Sequence, residues 1–257
     1  MLAGGAVVAA AGPAGATSSG IIATVAGGAG HGAGTNVSQV PAAVAAAPDG
    51  SVYVGDLHGV VRALNDGSSY EAVTAGVGIT GFAGDRHYAG RAELGGVQGV
   101  AAGPGGSVLI ADFDNDRIRM VAGATGVSYG QHVVRGDIYT IAGTGHPGYS
   151  GDGGRAALAQ LNGPRGVTAD SAGNLVIADT ANNRVRVAAA ATGTFYGQAM
   201  TAGDIYTIAG TGQAGFSGDG GAATGAQLSQ PGAVAVDPAG DILVADTASN
   251  QIREIGA

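Results

Sequence analysis

The chain contains no cysteine, no tryptophan and no lysine. Without cysteine there is no disulfide framework and no thiolate-ligated zinc. All 11 basic residues are arginine, and the formal net charge is −8 at pH 7. Phosphate backbones are bound largely through charge neutralisation, so this balance argues against nucleic acid as a partner. Only 12% of residues are charged while 45% are hydrophobic, a ratio at odds with disorder. No apolar run spans a bilayer: the first twenty residues are small and apolar but interrupted by Gly and Pro. Within them Ala14-Gly15-Ala16 has the shape of a signal-peptidase site, although the basic residues that open such signals are missing. The expectation is a secreted or cell-surface protein, with residues 1–20 a disordered or residual signal segment and 21–257 the folded domain.

What the chain has in excess is glycine, 51 of 257 residues, against a usual level of about 7%. The glycines cluster irregularly, as at Gly151-Asp152-Gly153-Gly154, which excludes collagen and indicates turns between many short strands. The clusters recur with a period. DIYTIAGTGHPGYSGDGG begins at Asp137 and DIYTIAGTGQAGFSGDGG 67 residues later at Asp204. A second motif ends in Asp56, Asp112, Asp179 and Asp246, at spacings of 56, 67 and 67, and leads to Arg62, Arg119, Arg186 and Arg253. Each unit reads as four short strands. In one, these are Gly166 to Ala169, Leu175 to Ala178, Arg184 to Val187 and Ile205 to Ala209, with the unalternating second strand suited to cover on both faces. A four-strand unit written four times predicts an all-β fold, a β-propeller of four four-stranded blades. The last unit stops after its third strand, and Ile21 to Gly27 resembles the missing fourth, so the N-terminal strand is expected to close the last blade. The first strands are almost all Ala, Gly and Val, as a crowded axis requires.

The phrases GVTADSAGNLVIADTANNRVR (166–186) and AVAVDPAGDILVADTASNQIR (233–253) resemble the NHL repeat. The IYTIAGTG and SGDGG stretches are similar to those of secreted actinobacterial NHL-repeat proteins and teneurin-type NHL propellers. The resemblance covers 21–257 and implies a propeller. It leaves activity open, since the family includes protein-binding receptor ectodomains, RNA-binding propellers and lyases or lactonases with an axial metal. Most members carry six blades, so four repeats imply a compact ring or a fragment of a larger one.

Several motifs bear chemistry. Asp112-Phe113-Asp114-Asn115-Asp116 alternates carboxylates as a calcium loop does, but Arg117 stands where such a loop turns on Gly and no closing Glu follows, so a turn is expected. The recurring pairs Asp56/Arg62, Asp112/Arg119, Asp179/Arg186 and Asp246/Arg253 are expected to be structural, because they repeat in every unit. Asp85, Asp152 and Asp219, also 67 apart, could hold calcium or zinc if they converged. The glycine-rich loops around Asp152 and Asp219 lack the lysine and helix of a phosphate cradle. Phe82, Tyr149 and Phe216 repeat at the same interval, as blade wedges or as a contact ridge. Tyr129 and Tyr196 lie in long hairpins expected to be accessible, and His146 in a loop expected to reach partners. His31, His58, His87 and His132 fall in loops, none on a first strand. No constellation breaks the repeat symmetry, so the expected function is a non-catalytic, monomeric extracellular binding or scaffold module without cofactor, contacting a protein or glycan. The alternatives are a metal-dependent propeller lyase or hydrolase, using for example His87, His146 and Asp85, and a fragment of a larger propeller.

Overall fold

The computed structural model describes residues 40–64 and 71–257. Among them every regular element is a strand or a three-residue 3₁₀ turn. Blade one is β1 (Pro41–Ala46), β2 (Val52–Asp56), β3 (Val60–Leu64) and β4 (Glu71–Ala75), paired in chain order. The short β5 (His87–Tyr88) precedes blade two, which comprises β6 (Val97–Ala102), β7 (Val108–Asp112), β8 (Arg117–Val121), the hairpin β9 (Gly126–Ser128) and β10 (Gln131–Val133), and β11 (Asp137–Ala142). Blade three repeats this with β12 (Gly154–Arg155), then β13 (Gly166–Ala169), β14 (Leu175–Asp179), β15 (Arg184–Ala188), the hairpin β16 (Gly193–Phe195) and β17 (Gln198–Met200), and β18 (Asp204–Ala209). Blade four holds β19 (Pro231–Val236), β20 (Ile242–Asp246) and β21 (Gln251–Ile255).

The sheets are antiparallel, and β5 and β12 add a fifth strand to blades two and three. The second strands β7 and β14 are buried at every position, as their apolar sequences demand. In blades two, three and four the turn after the second strand ends on Asp116, Asn183 and Asn250 in the left-handed region (φ 49°, 51° and 55°), which short polar side chains tolerate best. Gly143 and Gly210 end the fourth strands at φ 96° and 92°. A side chain at either would strike the carbonyl of Asp116 or Asn183 in the turn beside it.

Three apolar clusters sit between successive blades. The first joins Val61 and Ala75 to Val100, Ile110 and Ile138, the second Leu109, Ile118 and Met120 to Leu175 and Ile177, and the third Val176, Val185 and Val187 to Ile242 and Val244. The first strands pack in sequence, β1 on β6, β6 on β13 and β13 on β19. They approach closely enough that a Cβ on Gly166 would lie 2.8 Å from the Ala233 Cα, which accounts for their small residues. No comparable packing joins β19 to β1 among the described residues. The expected closing strand, Ile21 to Gly27, lies outside those residues, and blade four has three described strands.

Candidate functional site

The chemistry of the molecule is concentrated in a clasp that recurs in blades two, three and four. Arg117 and Arg119 project from one side of β8, because strand side chains alternate. The loop leading into the blade folds back over this side. Arg119 is fully buried and binds that loop: Nη2 meets Asp85 Oδ1 at 2.7 Å and donates to the Ala83 carbonyl at 3.0 Å, while Nη1 donates to the Glu93 carbonyl at 2.8 Å. Asp112 stands 3.7 Å from Nη1 and accepts from the Gly95 amide at 2.6 Å and from Asn115 Nδ2 at 2.8 Å. Arg117 instead reaches the following loop, donating to the Thr144 carbonyl at 2.6 Å. The two arginines of one strand therefore hold two successive connecting loops.

Sixty-seven residues on, the arrangement repeats: Arg186 to Asp152 at 2.6 Å, to the Ser150 and Gln160 carbonyls at 2.8 Å, and to Asp179 at 3.6 Å, while Arg184 takes Thr211. In blade four Arg253 meets Asp219 at 2.6 Å and Asp246 at 3.8 Å. Arg62 and Asp56 of blade one are likewise buried. Each clasp carries an aromatic ring. Arg117 lies 3.6 Å from the Phe82 centroid and Arg184 3.6 Å from that of Tyr149; Arg253 lies 4.9 Å from Phe216. Despite this stacking the rings remain 41%, 41% and 46% exposed, so they are neither wedges between blades nor covered by the loops. In blade three the Tyr149 hydroxyl also donates to Asp152 Oδ2 at 2.8 Å, fixing the ring's tilt.

Electrostatics separate the two carboxylates of a clasp. Burial pushes the Asp179 carboxyl up to about 6, against donors from Asn182 and the Asn162 amide and the charge of Arg186. Burial also acts to raise Asp152, but hydrogen bonds from Thr207, Arg186 and Tyr149 outweigh it and hold this carboxyl below its ordinary value.

Asp85, Asp152 and Asp219 are thus distributed one per blade, each on its own guanidinium. Among the described residues no three His, Asp or Glu side chains come together as a metal site. The carboxylate-rich segment 112–116 is a turn in which Asp114 takes the Gly96 amide and Asp116 the Gly163 amide, both at 2.7 Å. His58, His87, His132 and His146 are exposed and dispersed, and His31 lies outside the described residues. His146 has Ile79 and Gln213 as its repeat counterparts.

The expectation for the hairpins needs correction. Tyr129 and Tyr196 occupy left-handed positions (φ 46° and 50°) in two-residue turns, each followed by Gly. Tyr129 is buried at 7% exposure, its hydroxyl donating to the Gly173 carbonyl of blade three at 2.7 Å. Tyr196 is half-buried and donates to Asp170 Oδ2 at 2.8 Å. Both hairpins are braces against the turn between β13 and β14. Their length is legible in the sequence, whereas the direction in which they fold is not. Sequence reading also passed over the outer arginines Arg117 and Arg184; their recurrence at the 67-residue interval was the available signal.

Residues 161–188 and 228–255 match the family model described as NHL repeat. No curated protein matches the chain. Among solved structures, a protein of unknown function from Bacteroides thetaiotaomicron VPI-5482 aligns over 83% of this chain and 46% of its own, with 17% identity and a TM-score of 0.59. A streptogramin B lyase aligns over 84% of this chain and 54% of its own (11% identity, TM-score 0.48). A gluconolactonase from Xanthomonas campestris aligns over 84% and 58% (14% identity, TM-score 0.47). The chain spans about half the length of these structures, and the likeness concerns the fold alone.

Proposed function

Proceeding from an NHL-repeat β-propeller, we propose that the chain is a non-catalytic extracellular binding module that contacts a protein or cell-surface glycan through its loop face. One observation carries this reading: Phe82, Tyr149 and Phe216 present half-exposed rings at equivalent positions of three successive blades. A ring seated on a guanidinium loses little freedom when a partner covers its outer side, so its area is available for binding at low entropic cost. The flanking carboxylates and loop carbonyls supply acceptors for hydroxyl or amide donors. The paired charges are committed to holding loops, and their threefold repetition suits a scaffold better than a reaction centre.

The test is a screen of the purified chain on glycan and extracellular-protein arrays, with the triple variant Phe82→Ser/Tyr149→Ser/Phe216→Ser alongside. Binding that falls at least tenfold in the triple variant, with unfolding midpoints unchanged, supports the reading. Turnover of a lactone or ester that depends on one tightly held zinc or calcium would replace it with a metal-dependent enzyme.

A further inference from the structure

The loop that folds over blade two departs from its two sisters where they are most alike. After the shared Gly-Asp, the loops over blades three and four continue Gly153-Gly154 and Gly220-Gly221, whereas that over blade two continues Arg86-His87 and then Tyr88. The backbone turns left-handed here in all three: Gly153 and Gly220 sit at φ 77° and Arg86 at 65°. The amide is used alike, Arg86 donating to the Ile138 carbonyl at 2.7 Å and Gly153 to the Ile205 carbonyl at 2.8 Å. A long side chain at such a φ is strained where glycine is not, and strain of this kind gathers at ligand sites. Arg86, His87 and Tyr88 are all exposed, and the Arg86 guanidinium has no ion pair or hydrogen bond among the described residues.

A second difference lies beside it. In blade three the Tyr149 hydroxyl reaches both Asp152 Oδ2 at 2.8 Å and Thr207 Oγ1 at 3.1 Å. Blade two keeps the aspartate and the threonine, as Asp85 and Thr140, in the same register: Asp85 bridges to Ile138 as Asp152 does to Ile205. The tyrosine, however, is replaced by Phe82, which carries no hydroxyl. Thr140 Oγ1 is buried without a hydrogen-bond partner, and Asp85 meets Arg119 through Oδ1. A buried hydroxyl left unpaired is costly. Blade three shows what satisfies it: an oxygen that donates to the carboxylate while meeting the threonine.

Around the half-exposed Phe82 ring, therefore, stand a guanidinium without a partner and a place that accepts a hydroxyl. We infer that this loop binds an acidic sugar, a uronic acid within a glycan. Its ring stacks on Phe82, one hydroxyl takes the position that the Tyr149 hydroxyl holds in blade three, and its carboxylate pairs with Arg86. A uronic acid joins these three features in one rigid body, whereas an acidic peptide offers the carboxylate without the hydroxyl. The guanidinium fork matches a carboxylate with two parallel hydrogen bonds. The charge of Asp85 is offset by Arg119 at 2.7 Å, and the net charge of −8 is spread over a chain whose distant charges are screened beyond about 8 Å at physiological salt. This ligand class rests on the reading of the loop face as a binding surface, to which it adds one blade and one chemistry. The loops over blades three and four have glycine in place of Arg86, so among the described residues the site occurs once.

Short oligosaccharides of galacturonate, glucuronate and mannuronate are titrated into the native chain by calorimetry, beside the neutral galactose, glucose and mannose oligomers of the same length. At least one uronate is expected to bind about tenfold more tightly than its neutral counterpart. Arg86→Gly should abolish that preference and at the same time raise the unfolding midpoint by about 2 °C, because the strain leaves with the side chain. Phe82→Tyr keeps the ring but brings its own hydroxyl to Asp85 and Thr140. It should weaken uronate binding about fivefold while also raising the midpoint. No binding of any uronate, a preference that survives Arg86→Gly, or an unchanged affinity in Phe82→Tyr overturns the inference. So does a glutamate-rich peptide that binds as tightly as the uronates. A neutral glycan or a protein that the arrays find, and that the triple aromatic variant loses, would leave the loop-face reading standing while the acidic sugar falls.

Discussion

Buried arginines are costly residues, and their place in this molecule follows from what the two terminal nitrogens of each guanidinium meet. Arg119 and Arg186 are fully buried, yet each finds a carboxylate and two loop carbonyls within 3.0 Å. Removing such a guanidinium strands a buried carboxylate and several carbonyls at once, at a cost of about 3–5 kcal/mol. Arg186→Ala should therefore lower stability by that order in chemical denaturation. Arg253→Ala should cost clearly less, because Asp219 is largely solvated. Equal losses at the two sites would contradict this account of the clasp. The carboxylates add a pH dependence. Asp179 titrates near 6 in the folded chain against 3.8 ordinarily, so between those values the folded state holds a proton that the unfolded chain has released. Its contribution makes the protein more stable as pH falls from 7 towards 4. Asp152 acts oppositely: its depressed value means that stability present above 3.8 is lost as pH falls further. Thermal midpoints should rise by several degrees from pH 7 to pH 5 in the native chain, and the rise should be much smaller in Asp179→Asn. Parallel pH curves for the two proteins would remove Asp179 from the explanation.

Among the elements, strands and turns were the most legible. Apolar second strands, Asp- and Asn-rich turns and glycine-ended fourth strands each report a local requirement that recurs three or four times in the sequence. Gly143 shows how strict one of these is. Its φ of 96° and the Asp116 carbonyl beside it both oppose a side chain. Gly143→Ala should cost about 1–3 kcal/mol in denaturation experiments, whereas Gly136→Ala, with open space around it although its φ is 86°, should cost less. A reversed order would show that packing against the turn is not what selects glycine. The hairpins fold inward where their length suggested exposure, because an insertion's length says nothing about whether its tip meets solvent. Tyr129 is fixed by a carbonyl 44 residues away, in the next blade.

For the whole molecule, the repeat count was readable and the arrangement of its ends was not. Four blades follow from four copies of one motif. Whether the first and last blades meet depends on the angle accumulated across three interblade packings, to which no single residue testifies. The expected closing strand, Ile21 to Gly27, lies outside the described residues. The loop-face aromatics belong to this scale too. Their value for binding is expected to lie in being three in a row, so single Phe82→Ser, Tyr149→Ser or Phe216→Ser proteins should each lose less binding than the triple variant.

By itself the sequence determined the β class, the blade number, the strand order within each blade and the identity of the recurring Asp–Arg pairs, because each of these is a local pattern repeated at a fixed interval. Tertiary structure alone decided that Asp85, Asp152 and Asp219 are separated onto three guanidiniums, that the aromatic rings face solvent and that the hairpin tyrosines turn inward. Those outcomes depend on how loops from one blade lie across the next. Such contacts join residues far apart in the chain, whose spacing does not encode the direction of approach.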